Sequence, residues 1–160
     1  MFRSLYDSKI PPAKQLVEVY EKYEDPVIGL SRIDWKDVDK FGVIDGVDLG
    51  EKAYEIKNLI EKPKQDKAPS NLVAVGKYII TPEVMEILKN MDEGKSGEIR
   101  LIDAFEIMLK NNRPLYGYEI DGQWLDTGDK FNFMKASIVL GLKHPEVKEK
   151  LAKYLKSLKL

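Results

Sequence analysis

The feature that most constrains the fold of this chain is the interleaving of short apolar runs with longer amphipathic segments. Residues 27–33 and 71–80 are rich in valine and isoleucine, which is typical of buried strands. Residues 13–23 place apolar side chains at helical spacing, which predicts a helix that covers a sheet. The predicted strands at 41–46 and 53–60 follow each other directly, so the sheet should not be purely parallel. The sequence therefore predicts an α/β fold, with a mixed β-sheet flanked by helices and closed by C-terminal helices.

Composition excludes several classes of protein. The 160 residues are 43% apolar and 33% charged, which suits a single domain over residues 1–160. The formal net charge of −1 gives no electrostatic reason to expect nucleic acid or an anionic membrane as a partner. No apolar run is long enough to span a membrane, and the first residues lack the apolar core of a signal peptide. A cytoplasmic protein is predicted.

Side chains that commonly bind transition metals or act as nucleophiles are scarce. The chain has no cysteine, which excludes disulfides and thiolate metal sites. Its one histidine, His144, excludes a multi-histidine zinc site. His144 precedes Pro145 between two helical patterns, so a helix junction is the preferred interpretation and a catalytic base the alternative.

The apolar run that ends at Leu59-Ile60 is followed by an acid, a base and a proline. Pro63 cannot donate to a sheet ladder and biases Lys62 towards an extended backbone, so the side chains of Glu61 and Lys62 are expected to diverge at the strand end. A carboxylate that accepts from hydroxyl groups, next to an ammonium that meets phosphate, would suit a phosphorylated sugar. The alternative is a solvated strand exit with no ligand.

Four other short stretches carry turn or ligand chemistry. Gly42 lies inside a predicted strand, where glycine often marks the close approach of a ligand or a backbone. Thr81, followed by a proline and a glutamate, is predicted to cap a helix with its hydroxyl. Residues 94–98 are predicted to form a loop. The run from Asp126 to Asp129 precedes a helical pattern, and on its own it predicts an N-cap and first turn.

Five motifs occur in the order found in nucleotide-sugar pyrophosphorylases, and the chain most resembles the UTP:glucose-1-phosphate uridylyltransferases of bacteria and archaea. The motifs are Phe41-Gly42-Val43-Ile44-Asp45-Gly46, Glu61-Lys62-Pro63, Ser70-Asn71-Leu72 with Val75-Gly76-Lys77-Tyr78, Gly97-Glu98-Ile99-Arg100-Leu101-Ile102-Asp103-Ala104 and Asp126-Thr127-Gly128-Asp129-Lys130. The likeness extends from about Lys14 to the C-terminus.

The resemblance implies a Rossmann-like nucleotide-diphospho-sugar transferase fold and a specific reaction. Glucose 1-phosphate attacks the α-phosphorus of UTP, which forms UDP-glucose and releases pyrophosphate. Lys62 would contact the phosphates, Glu61 would hold sugar hydroxyls, and Gly42 would let the backbone approach the sugar. The further residues that it implies for the pocket are Asn71, Val75 and Tyr78.

The resemblance also implies a magnesium ion. Asp126 would be one of two aspartates that hold Mg²⁺, and with Lys62 it would make up the catalytic residues. One or two carboxylates together with substrate phosphates is the arrangement that Mg²⁺ prefers. The first magnesium aspartate of the family has no match here, because a gapless alignment puts Arg3 and Ser4 at its acidic pair.

The chain departs from the family pattern in two places. Arg100 and Ile102 stand where glutamine and threonine are usual, so a direct ligand role there is not expected, and Glu98 and Asp103 could cap the following helix. The glycine-rich loop that holds the nucleotide has no counterpart. The chain thus resembles the sugar-binding half of such an enzyme, expected to act as a homo-oligomer or with a complementing N-terminal half. The alternative is a non-catalytic module that binds sugar phosphate or serves assembly.

Overall fold

The computed structural model describes residues 4–92 and 98–158, which contain both strands and helices. The strands are β1 Ser4–Asp7, β2 Val27–Arg32, β3 Gly42–Gly50, β4 Ala53–Glu61, β5 Leu72–Ile79, β6 Tyr116–Glu119 and β7 Gln123–Asp126. The α-helices are α1 Pro12–Tyr23, α2 Pro82–Lys89, α3 Leu101–Lys110, α4 Lys130–Lys143 and α5 Lys148–Ser157. Strands β1 and β7 were not predicted from the sequence, and residues 94–97 of the predicted loop lie outside the described residues.

The chain divides into two compact units, of which the larger is Ile10–Asp121. Its five strands pair in the order β2-β5-β3-β4-β6, and β6 returns to pair with β2, so the ladder closes on itself. The β2–β6 pair is parallel and the other pairs are antiparallel. The prediction of a mixed sheet flanked by helices is therefore confirmed, while the single domain over residues 1–160 stays a prediction.

The core of the larger unit lies between the sheet and helices α2 and α3. Phe105 and Met108 of α3 are buried against Ile44 of β3 and Leu59 of β4. Apolar side chains recur on one face of α3, and this face supplies the contacts that fix the helix on the sheet. The first turn of α3 lies at the end of β4, where the sequence predicts a binding site.

The smaller unit combines the segment ending at Lys9 with the segment from Gly122 onwards. Strand β1 pairs antiparallel with β7, with Ser4 opposite Asp126, and α4 packs against β7. His144 is the C-cap of α4 and precedes α5, which confirms the predicted helix junction.

One local expectation, the cap of α2, comes out differently. Thr81 occupies the N-cap position of α2 and Pro82 opens the helix, but the threonine hydroxyl makes no capping hydrogen bond, so that prediction was wrong. The extended backbone is set by the following proline, and the first turn begins without the hydroxyl.

Within the described residues, no helix combines the length and apolar character that crossing a membrane requires.

Candidate functional site

The pairing of β3 with β4 places Gly42 directly opposite Glu61. A Cβ atom built on Gly42 would lie 3.2 Å from Glu61 Oε2 and 3.1 Å from Ile102 Cδ1. The space beside this backbone is therefore already occupied by the carboxylate and by a methyl group of α3. These neighbours of Gly42 are side-chain atoms, so the predicted approach of a ligand or a backbone stays a prediction.

Lys62 does not have the extended backbone predicted from Pro63. Its φ is 47°, in the left-handed region, and its amide donates to the Phe41 carbonyl at 3.0 Å. Its ammonium lies 3.9 Å from Glu61 Oε1, so the two side chains converge where divergence was expected. The preference of a residue before proline is local, and here the ladder hydrogen bond and the burial of Pro63 overrule it. The end of β4 thus presents a paired carboxylate and ammonium.

Tyr78 stands near this pair on β5. Its ring centroid lies 5.8 Å from that of Phe105, which supports it from the core side, and the residue remains 37% exposed. Burial raises the pKa of the Tyr78 hydroxyl, and the negative charge of Glu61 raises it further. The hydroxyl is therefore a neutral group at neutral pH, able to donate a hydrogen bond beside the Glu61 carboxylate.

The first turn of α3 brings two more side chains to the end of β4. Arg100 is bound to Asp103 by two hydrogen bonds, from Nε at 3.0 Å and from Nη2 at 2.6 Å. Asp103 also accepts from the backbone amide of Arg100, so its expected capping role is supported, and the contacts with Arg100 lower the pKa of its carboxyl. The pKa of Arg100 is raised mainly by Asp103, with Glu61 contributing. The positive charge of Arg100 therefore interacts with the Glu61 carboxylate.

Sequence reasoning treated Arg100 and Ile102 only as departures from a pattern. Ile102 contributes the methyl group beside Gly42, and Arg100 contributes charge near Glu61. Their placement depends on how α3 docks on the sheet. Helical periodicity shows which face of α3 is apolar, but it does not show which strand end the first turn meets.

Asn71 and Val75 are both predicted to line the pocket. In the structure, Asn71 is hydrogen-bonded to other residues of the protein and Val75 is buried. The Asn71 amide donates to the Ile33 carbonyl at 2.8 Å, and its oxygen accepts from Arg32 at 3.2 Å. Val75 is only 4% exposed and lies in an irregular stretch of β5. The structure therefore shows Asn71 holding the end of β2, and roles for both residues in binding substrate stay predictions.

Asp126 ends β7 in the smaller unit. Its Oδ1 accepts from the Gly128 amide at 2.9 Å, which closes a local turn, while Asp129 caps α4 by accepting from the Asn132 amide at 2.9 Å. The N-cap predicted for this motif is thus Asp129. In the ranges 4–92 and 98–158, no group of three or more acidic or histidine side chains could hold a metal. A single carboxylate fits Mg²⁺ only where substrate phosphates supply further oxygen ligands.

Comparison with known proteins gives consistent results. The family model for nucleotidyl transferases matches residues 5–140. The chain is 40% identical over 154 residues to the UTP–glucose-1-phosphate uridylyltransferase of Staphylococcus haemolyticus, covering 96% of this chain and 53% of that protein. The chain spans about half the length of the curated relatives it matches.

Solved structures agree with the sequence relatives. A UDP-glucose pyrophosphorylase in complex with UDP-glucose superposes with a TM-score of 0.80 at 35% identity, covering 89% of this chain and 54% of that one. A UTP-bound enzyme from Acinetobacter baumannii superposes with a TM-score of 0.85 at 27% identity, covering 98% and 54%. Since the family model covers most of the sequence and these folds agree, the chain belongs to the nucleotidyl transferase family.

Proposed function

We propose that these 160 residues supply the sugar-phosphate-binding part of a UTP:glucose-1-phosphate uridylyltransferase, which forms UDP-glucose and pyrophosphate. The observation that carries the proposal is the pair of Glu61 and Lys62, whose carboxylate and ammonium lie 3.9 Å apart at the end of β4. The relatives support the choice of reaction, since those reported above are a uridylyltransferase and a UDP-glucose pyrophosphorylase.

In the proposed reaction, a phosphate oxygen of glucose 1-phosphate attacks the α-phosphorus of UTP. A new phosphorus–oxygen bond forms, the bond between the α-phosphorus and its bridging oxygen breaks, and pyrophosphate leaves with the electron pair. No covalent intermediate with the protein is needed, so the protein has to align the two anions and balance their charge. Lys62 offers a positive charge to the phosphates, and Glu61 and Tyr78 offer an acceptor and a donor to sugar hydroxyls.

Asp126 is the residue that we propose for Mg²⁺ binding. Its carboxylate is half-buried at the end of β7, and one of its oxygens is held by the Gly128 amide, which fixes its direction. Mg²⁺ supplies neutralisation of phosphate charge when it is bound. The second carboxylate implied by the family resemblance has no counterpart among the described residues, so the proposed ligand set is Asp126 together with substrate phosphates.

The second candidate function is a non-catalytic module for binding or assembly. It is favoured by the apolar side chains that α4 exposes, with Phe131 75% exposed and Met134 59% exposed. Exposed aromatic and methionine side chains in one helix are typical of an interaction surface. A homo-oligomer, a complementing N-terminal half and a cytoplasmic location stay predictions, and light scattering of the purified chain tests the first of them.

Calorimetric titration of the purified chain with glucose 1-phosphate tests the proposal. Lys62→Ala should weaken binding by roughly 10- to 150-fold, because a charge-assisted contact to phosphate is worth about 1.5–3 kcal/mol. Lys57→Ala is the matched control, since Lys57 lies on the same strand and is ion-paired with Glu55. Equal binding by the two variants would contradict the proposed site. Release of pyrophosphate from UTP and glucose 1-phosphate then tests whether binding leads to turnover.

A further inference from the structure

Lys62 has an unusual backbone conformation for its place in the chain. Among the described residues, the non-glycine residues with a backbone in the left-handed region are Glu24, Glu51, Lys52, Lys62 and Asn112. Glu24 and Asn112 lie at the C-terminal ends of α1 and α3, where a left-handed residue often ends a helix. Glu51 and Lys52 form the turn between β3 and β4. Lys62 has neither of these settings.

The local sequence opposes this conformation. A side chain with a Cβ atom is disfavoured at positive φ, and the proline that follows favours an extended backbone at residue 62. The observed φ of 47° is therefore held by contacts elsewhere. Two are present: the Lys62 amide donates to the Phe41 carbonyl at 3.0 Å, and the ring of Pro63 is buried.

The conformation changes where the ammonium lies. Successive side chains of a regular strand point to opposite faces, so an extended Lys62 would point away from Glu61. The left-handed backbone interrupts that alternation, and the ammonium comes to lie 3.9 Å from the Glu61 carboxylate. Glycine or asparagine at position 62 would fit the backbone better, but neither carries a positive charge.

We propose that Lys62 has a strained backbone that places its ammonium beside Glu61 before the sugar phosphate binds. Pro63 is a positioning residue that holds the ammonium there. The inference deepens the proposed function and rests on it for the identity of the ligand. The strain itself is a property of the folded chain and does not depend on any ligand.

The strain is tested by comparing glycine with alanine at two positions of positive φ. Lys62→Gly should melt roughly 2–4 °C above Lys62→Ala, because both variants lose the ammonium and only alanine keeps the Cβ atom. Lys52→Gly and Lys52→Ala form the matched pair, because Lys52 has a φ of 66° in the hairpin turn. Both Lys62 variants should bind glucose 1-phosphate roughly 10- to 150-fold more weakly, and both Lys52 variants should bind it as the unchanged chain does. Equal melting temperatures for Lys62→Gly and Lys62→Ala would overturn the strain.

The positioning role is tested by a change that leaves both charged side chains in place. Pro63→Ala should weaken glucose 1-phosphate binding severalfold, because loss of the buried ring removes packing that fixes the chain just after Lys62. Alanine also removes the clash between proline and the preceding residue, which by itself would lower the strain at Lys62. Binding as tight as in the unchanged chain would therefore show that the packing of Pro63 does not hold Lys62, and would overturn its positioning role. Pro69→Ala, in an exposed part of the following loop, is the control.

These measurements separate the inference from the proposed function. If the unchanged chain does not bind glucose 1-phosphate, the proposed function fails, while the melting comparison still reports on strain at Lys62. The opposite case is that the unchanged chain binds the sugar phosphate, but glycine melts above alanine at position 52 and not at position 62. The proposed function then stands and the inference fails.

Discussion

The two ends of β4 each carry a lysine with a left-handed backbone and a carboxylate partner, but for different reasons. Lys52 has a φ of 66° and belongs to the turn in which Gly50 pairs with Ala53. A two-residue hairpin turn of this kind needs positive φ at both central positions. Lys62 has a φ of 47° at a strand exit, where no turn of this kind requires it. The first conformation follows from chain reversal, and the second brings a charge to a carboxylate.

Burial along β3 also differs between the two ends of the β3–β4 hairpin, since this strand is buried near the site and mostly exposed near the turn. The site end is supported by Leu59, which is 3% exposed and belongs to the main apolar core. Near the hairpin turn the exposed apolar residues lie on β3, with Leu49 40% exposed and Val47 51% exposed, while Tyr54 of β4 is buried. A strained conformation persists only where the surrounding structure over-determines it. Core packing at Leu59 can therefore help to hold Lys62 in place, whereas the two-residue turn accounts for the backbone of Lys52.

The largest effect is expected for Leu59→Ala, which removes core packing two residues before Glu61. The free energy of unfolding should fall by roughly 2–5 kcal/mol, because a cavity remains where the side chain was. Leu49→Ala, at the exposed end of the same hairpin, should cost less than about 0.5 kcal/mol. Denaturant unfolding of both variants measures the difference. Similar losses would show that the two ends do not differ in packing.

The elements with strong periodicity could be predicted from the sequence. Strands β2, β4 and β5 are apolar runs, and α1 and α3 have apolar faces at helical spacing, so the mixed sheet with flanking helices followed from local pattern. Strand β1 could not be found in this way. Its four residues pair with β7, which lies at the other end of the chain, and short edge strands carry little pattern of their own.

The candidate site was only partly predictable for the same reason. Glu61 and Lys62 were identified from their place after an apolar run, but the direction of the Lys62 side chain was wrong. The conformational preference of a residue before proline depends only on neighbouring residues in the sequence. It therefore could not predict the hydrogen bond from the Lys62 amide to the carbonyl of Phe41, a residue far away in the sequence. Arg100 and Ile102 reach the site through the docking of α3, which is a property of the whole core.

A smaller effect is expected for Gly42→Ala, because the added Cβ would lie 3.1 Å from Ile102 Cδ1 and 3.2 Å from Glu61 Oε2. We expect a loss of roughly 1–3 kcal/mol of stability from overpacking, together with weaker glucose 1-phosphate binding as Glu61 shifts. Ile102→Val removes the Cδ1 atom, so in that background Gly42→Ala should cost at least about 0.5 kcal/mol less. Unfolding of the four proteins of this double-mutant cycle measures the coupling.

The control for that cycle lies at the other end of the hairpin. A Cβ built on Gly50 meets no atom within 4 Å, but its φ is 84°, so Gly50→Ala is disfavoured by the backbone alone. Its cost should therefore be additive with that of Ile102→Val. Additivity at Gly42 as well would mean that Ile102 is not the neighbour that limits this position.

The smallest effect is expected from the ion pair at the hairpin end. The hydrogen bond from the Lys52 ammonium to Asp121 raises the lysine pKa above its usual value of 10.5. A raised pKa in the folded state means that the stabilisation is fully present below pH 10.5 and is lost as pH rises through the raised value. Both side chains are at least half exposed, so the pair should contribute less than about 1 kcal/mol.

Asp121→Asn tests this pair without disturbing the backbone of residue 121, which exchanges hydrogen bonds with Gln15. The difference in unfolding free energy between the variant and the unchanged chain should be present near pH 8 and should shrink as the pH is raised past the titration of Lys52. Asp66→Asn, an exposed carboxylate of the same unit, controls for general effects of charge at high pH. A difference that is constant over this range would mean that Asp121 stabilises the hairpin by some means other than pairing with Lys52. The Lys52–Asp121 pair would then contribute nothing to stability through charge, and turn geometry would be what holds the left-handed backbone of Lys52.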